Sequence, residues 1–240
     1  MNLIKGSLLA SLLCISPLCN AHFDDIDAKT RAKIENIIDE YVSTHPEIII
    51  RAMQKLEHDE QAIQANNVKN AGIALRNDNT LPQVNTSKAK HYIIEFFDFN
   101  CGYCKVLEPM FEKALKEFDL QIIYVNIPII KEESSQSAVF AQAVYNVDKK
   151  AYFKFHKYFM TPGYKSSDTD TLKKLCKEYN VEFDKVLAEL KSKRPHERIT
   201  KSIAQSSNLK ISGTPYLIID GKELRGAFRD YSQLKALLED

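Results

Sequence analysis

A chain of 240 residues with 44% hydrophobic and 27% charged residues can bury a substantial core, which excludes a disordered or fibrous polypeptide. Its formal net charge is only +1 and no basic stripe interleaved with aromatic residues occurs, which excludes an electrostatic nucleic-acid footprint. One catalytic domain with an extension is the expected organisation.

The first 21 residues read as an export signal. Lys5 supplies a positive start, Leu8 to Leu18 is mostly apolar, and Cys19-Asn20-Ala21 sets small residues where a signal peptidase reads them, so cleavage after Ala21 is expected. The apolar run is too short to span a bilayer comfortably, and His22-Phe23-Asp24-Asp25 is not a stop-transfer flank. Cleavage removes Lys5 and no acid, which takes the formal charge from +1 to zero and leaves Cys101, Cys104 and Cys176 of the five cysteines. A lipid anchor on Cys14 or Cys19 is the competing reading, disfavoured by Leu13 and Leu18, which stand where such signals want a small residue. The mature protein is expected to be soluble, exported and periplasmic.

From Asp24 to about Leu75 the pattern is helical. Ile34, Ile37, Ile38, Tyr41 and Val42 recur at the spacing of one helix face. Thr44-His45-Pro46-Glu47 reads as a restart, with Thr44 as cap and Pro46 at an early helical position. The second helix carries Ile48, Ile49, Ala52, Met53, Leu56 and Ile63. Short helices in isolation are marginal, so this apolar face needs a partner surface, and self-association into a homodimer is expected in preference to packing on its own subunit. Asn77 to Pro82 reads as a linker.

Tyr92 to Phe97 is dense in β-branched and aromatic residues, as in a central strand covered on both faces. Glu95 is the anomaly there, because an ionised, unpaired acid in such a strand is costly and its pKa should rise. After Cys104, residues Val106, Leu107, Met110, Phe111, Ala114 and Leu115 form a helical face, with Pro109 marking a kink, and Leu120 to Asn126 is a second strand. A long insert of four or five helices follows from Pro128 to about Ser212, with turns at Thr161-Pro162-Gly163 and Ser166-Ser167-Asp168. Tyr216 to Ile219 and Lys222 to Arg225 are strands joined by the Asp220-Gly221 hairpin signal, and Tyr231 to Leu238 is a final helix. The fold class is α/β, a thioredoxin-like fold with an inserted helical domain. The segments are 1–21 signal peptide, 22–76 helical dimerisation arm, 77–127 first half of the thioredoxin fold, 128–211 insert and 212–240 second half.

Cys101 and Cys104 carry the chemistry. Two thiols at this spacing on the first turn of a helix can close a small disulfide ring, and the helix N-terminus favours the thiolate that reopens it. A structural bridge rarely joins residues this close on a helix, a zinc site needs a second spaced pair, and Lys105 stands where haem attachment needs His. Cys101 is expected to be the exposed nucleophile and Cys104 the resolving thiol, with Gly102 and Tyr103 between them tuning the thiolate. Cys176 shares a helical face with Leu172, Leu175 and Tyr179 and reads as a buried hydrophobe. His156 reads as a packed or groove-lining residue with nothing to orient it as a base, and Lys191, Lys193 and Arg194 as a solvated turn.

The strand-Cys-Gly-Tyr-Cys-helix segment, taken with Gly213-Thr214-Pro215, resembles the DsbA-like members of the thioredoxin superfamily, exported thiol–disulfide oxidoreductases, from about Ala89 to Asp240. The resemblance implies that Pro215 is cis beside the cysteine pair, that the backbone there pairs with the substrate chain, and that Thr214 contacts the surroundings of the attacking sulfur. It implies too that Glu95 is the buried acid that shuttles a proton to or from Cys104. The N-terminal arm resembles those of dimeric or trimeric ScsC-type relatives, and dimeric members similar to DsbC are isomerases, so oxidase and isomerase directions both stay open.

The expected partners are unfolded or misfolded cysteine-containing proteins and a membrane redox partner, either oxidant or reductant. No nucleic acid, metal or bound cofactor is expected. The alternative from another class is a periplasmic chaperone or copper-binding protein using Cys101 and Cys104 as soft ligands.

Overall fold

The computed structural model describes residues 26–164 and 168–239. The expected signal peptide with its cleavage at Ala21, and the Ser166-Ser167 part of a turn, lie outside the described residues.

The chain divides into two compact units, the second being His58–Asp240. The first holds α1 (Ala28–Thr44) and the start of α2 (Glu47–Arg76). Asp27 caps α1 by accepting from the amides of Lys29 and Thr30 at 3.0 and 3.1 Å. Thr44 is the last residue of α1 rather than the cap of α2, because its hydroxyl donates back to the Glu40 carbonyl at 2.8 Å. No residue of α1 is buried, and Ile34, Ile37, Ile38 and Tyr41 are 41–65% exposed.

The second unit begins inside α2, earlier than the boundary expected at residue 77. Val68 and Leu75 are each 1% exposed and join the core, and Gly72 lies so close to Tyr92 that a Cβ there would stand 2.8 Å from its hydroxyl. The helix is one periodic element, and only contact with the sheet distinguishes its end from its beginning.

The sheet has the order β1 (Gln83–Val84), β3 (Leu120–Asn126), β2 (His91–Phe97), β4 (Tyr216–Ile219), β5 (Lys222–Arg225). β2 and β3 are parallel, and the other pairs are antiparallel. The two-residue β1 was not expected, being too short to show a period. Every residue of β2 and β3 is buried. Along β2, Tyr92, Ile94 and Phe96 enter one core with Val68, Leu75 and Leu209, while Ile93 and Phe97 enter the other with α3 (Gly102–Glu117), α9 (Tyr231–Glu239) and the insert. Alternation therefore aims Glu95 at the α3 face. α3 runs through Pro109 as one continuous helix.

Among the described residues the insert holds five helices: α4 (Glu132–Val147), α5 (Lys149–Phe159), α6 (Thr169–Glu178), α7 (Phe183–Lys191) and α8 (Arg194–Asn208). Asp168 caps α6 through the Asp170 amide. Cys176 is fully buried on α6 with Leu172 and Leu175, and burial pushes its thiol up to about 11. Asp220 and Gly221 turn the β4–β5 hairpin at φ 47° and 87°, in the left-handed region that Gly adopts without cost. The Asp220 carboxylate accepts from the Tyr92 amide at 2.8 Å and ties the hairpin to β2.

Leu75→Ala is expected to lower the unfolding free energy by about 3 kcal/mol, the usual cost of a fully buried leucine. Urea unfolding measures it, and a change near zero would show that the end of α2 is not part of the folded core.

Candidate active site

β2 delivers the chain to a short loop, Asp98 to Asn100, that α3 then leaves. Asp98 is fully buried. Its Oδ1 accepts from the Asn100 amide at 2.7 Å and the Ser134 hydroxyl at 2.8 Å, and its Oδ2 accepts from the amides of Ile129 and Ile130 at 2.9 Å each. Its carbonyl receives the Cys101 amide at 2.9 Å. One carboxylate thus fastens the loop before the cysteines to the start of the insert. Nothing in the sequence marks Asp98, since its partners in the insert lie more than thirty residues away.

Cys101 is the N-cap of α3, and its Sγ accepts from the Cys104 amide at 3.1 Å. In the thiol form Sγ donates to the Thr214 carbonyl at 3.4 Å. The Thr214–Pro215 peptide bond is cis, and Pro215 is buried. The Thr214 hydroxyl is buried without a hydrogen-bond partner. Hence the start of α3 and the loop before β4 meet at one sulfur, across more than a hundred residues of chain.

Cys101 was expected to be exposed, yet it is only 3% exposed, because the Thr214 loop and the first turn of α3 cover it. Gly102 and Tyr103 are the exposed members of the motif, Tyr103 at 71%, and a Cβ on Gly102 would meet only open space. Both cysteines are free thiols. The Cys101 thiol is lowered from the ordinary value near 9 to about 6, first by donation from the Cys104 thiol, and further by the nearby Thr214 side chain and the amides of Cys104 and Tyr103, against the opposing effect of burial. Cys104 moves strongly upward, driven first by burial, then by its bond to Cys101 and by Glu95.

Glu95 is fully buried, and neither of its oxygens meets a partner at hydrogen-bonding geometry. Burial, then the nearby charges of Glu108 and Cys101, holds its carboxyl well above the usual carboxylate range, and the Cys104 thiol beside it is the one influence favouring ionisation. A neutral acid beneath Cys104 is able to give a proton to a leaving sulfur, and the carboxylate that this leaves is able to take one from an attacking thiol.

His156 is not unoriented, as its sequence context suggests. Its Nε2 lies 2.9 Å from Glu108 Oε1, its Nδ1 lies 3.3 Å from the Tyr152 hydroxyl, and its ring is 4.6 Å from that of Tyr124. The available signal was that Glu108 follows Cys104 by four residues and so shares its helix face. Lys193 adopts a left-handed φ of 65° before α8, and Arg194 pairs with Glu189. Among the described residues, no group of three or more His, Cys, Asp or Glu side chains is placed to hold a metal ion.

Comparison with known proteins agrees with this architecture. Residues 92–239 match the DSBA-like thioredoxin domain, and residues 31–62 match the N-terminal domain of the copper resistance protein ScsC. The chain therefore belongs to the DsbA-like thioredoxin domain family. It is similar to the probable disulfide bond formation protein D of Bacillus cereus, with 26% identity over 140 residues, 54% of this chain and 65% of that protein. Its fold is that of the thiol-disulfide exchange protein alpha-DsbA2 from Wolbachia pipientis, with a TM-score of 0.66 and 22% identity over 75% of this chain and 97% of that one. The catalytic domain of Proteus mirabilis ScsC is similar at a TM-score of 0.64 and 26% identity, over 73% of this chain and 96% of that one.

Since the thiolate is the reacting form, lowering the pKa shifts reactivity to lower pH. Alkylation of reduced protein by iodoacetamide is expected to rise through a midpoint at about pH 6 and then level off, with the thiolate absorbance following the same curve. Cys101→Ser removes that step. A single midpoint near pH 9 in the wild type would contradict the geometry described here.

Proposed function

We propose that this chain is an exported, periplasmic thiol–disulfide oxidoreductase that forms or reshuffles disulfide bonds in cysteine-containing proteins through Cys101 and Cys104. The observation that carries the reading is the placement of the Cys101 sulfur at the start of α3, 3.1 Å from the Cys104 amide and 3.4 Å from the Thr214 carbonyl, a setting that lowers the Cys101 thiol and raises that of Cys104. A substrate thiolate attacks the Cys101–Cys104 disulfide at Cys101, the stabilised sulfur, and Cys104 leaves with a proton from Glu95. The substrate's second thiol then releases Cys101. In the reduced state Cys101 attacks an incorrect substrate disulfide, and Cys104 limits the lifetime of the mixed disulfide. Thr214 and Pro215 present the backbone beside Cys101 to the substrate, and Gly102 and Tyr103 tune the thiolate. Net oxidation leaves the cysteines reduced, so turnover requires a further electron acceptor, and an exported protein meets one in the membrane.

The arm favours a homodimer. Ile49, Met53, Leu56 and Ile63 repeat at intervals of four, three and seven, each at least 48% exposed, as in a coiled-coil seam. Such a row of large apolar side chains loses its hydration cost when a second copy covers it.

Refolding of reduced ribonuclease by the wild type is expected to exceed the uncatalysed rate and to vanish with Cys101→Ser, whereas Cys104→Ser accumulates a mixed disulfide. Scrambled ribonuclease separates the directions, because recovery from the reduced substrate alone makes the protein an oxidase. Light scattering is expected to give the mass of two chains for the wild type and of one for the combined Ile37→Glu, Met53→Glu and Leu56→Glu variant, with activity on reduced ribonuclease retained. A wild-type monomer refutes the dimer.

A further inference from the structure

Glu95 poses a problem that exchange between Cys101 and Cys104 does not solve. An acid buried this completely, with neither oxygen hydrogen-bonded, must trade its proton with water between turnovers. One side of the site leads outward. Glu108 lies one helical turn beyond Cys104 on α3, and its Oε1 is 2.9 Å from Nε2 of His156. Tyr124 stands in register with Glu95 on the neighbouring strand, and its ring is 4.6 Å from the imidazole, so Tyr124 neighbours both Glu95 and His156. The Glu108 side chain keeps 21% exposure and that of His156 4%. Both line a cleft of about 520 Å³, which Lys105 and Lys157 also border.

We propose that the Glu108–His156 pair is the port through which Glu95 exchanges its proton with solvent, making the two residues positioning residues for the Cys104 step. The proposal rests on the exchange reading of Cys101 and Cys104. When Cys104 attacks a mixed disulfide on Cys101, the Cys104–Cys101 bond forms and the bond from Cys101 to the substrate sulfur breaks. Glu95, neutral at rest, first gives its proton to the pair, which releases it to water in the cleft. The substrate then leaves as a thiolate with the electron pair of that bond, and the Cys104 proton passes to the Glu95 carboxylate so formed. An imidazole takes a proton on one ring nitrogen while losing one from the other, so His156 relays without moving. Glu108 is also the nearby charge that acts most strongly on Glu95, which agrees with their proximity. The structural alternative is a pair that only fastens α5 to α3, and such a pair gives no dependence on external proton carriers.

The test mixes reduced full chain with oxidised glutathione and follows, by rapid quench, formation of the Cys101 mixed disulfide and its resolution by Cys104. The concentration of imidazole buffer is varied at fixed pH and ionic strength. For the wild type the resolution rate is expected not to depend on buffer. Glu108→Gln and His156→Gln are expected to slow resolution by about tenfold or more and to regain it as imidazole rises, with the first step unchanged. Glu108→Gln retains a side chain able to bond His156, so it carries the test if His156→Gln does not fold. Resolution at the wild-type rate in a folded variant, or slowing that no buffer relieves, overturns the port. A wild type that never closes the Cys101–Cys104 disulfide defeats the exchange reading itself, whereas unhindered resolution in Glu95→Gln removes the acid from the step while leaving exchange intact.

Discussion

The Cys104 amide reaching the Cys101 sulfur across 3.1 Å is the contact around which the molecule is arranged. A sulfur at a helix start accepts from amides that have no partner in the helix, so negative charge there is stabilised without any basic side chain. The contact survives only if the chain enters α3 at a fixed angle. Asp98 sets that angle by gathering four donors and tying the loop to the insert at Ile129, Ile130 and Ser134. The Thr214 loop closes the other side, which explains how a sulfur can be both covered and acidic.

Beneath that sulfur the fold tolerates an expense. A central strand buried on both faces is the costliest place for a carboxyl group, and Glu95 sits there without a hydrogen bond. The cost falls if the group stays neutral, and burial itself keeps it so. The same low-polarity surroundings raise Cys104, so the two groups that would exchange a proton are both held in their protonated forms while Cys101 is not. Around them Phe97, Phe99, Tyr124 and Tyr152 pack against His156, an aromatic wall with one polar seam at Glu108.

α2 shows how one helix takes two roles. Its later turns bury Val68, Gly72 and Leu75 against the sheet, while its earlier turns present Ile49, Ile50, Met53 and Leu56 to solvent. A large apolar row left uncovered in a single chain marks an interaction face more often than an accident of composition.

Local signals determined much of this protein. The Cys101-Gly102-Tyr103-Cys104 spacing, the apolar run before it, the Asp220-Gly221 hairpin and the helical periods of the insert each depend on neighbours within a few residues, so the thioredoxin-like layout and the candidate cysteine pair were legible in the sequence alone. Glu95 also stood out, because an acid inside an apolar run is anomalous wherever the run folds. What only the tertiary structure decided involves partners far apart in the chain. Asp98 reaches Ser134, Glu108 meets His156, Thr214 covers Cys101, and α2 joins the core from Val68 onward. The helical period of α2 is the same on both sides of His58, and the burial of one sulfur depends on a loop more than a hundred residues away. Sequence spacing carries no record of such contacts, because they arise only when packing brings distant surfaces together.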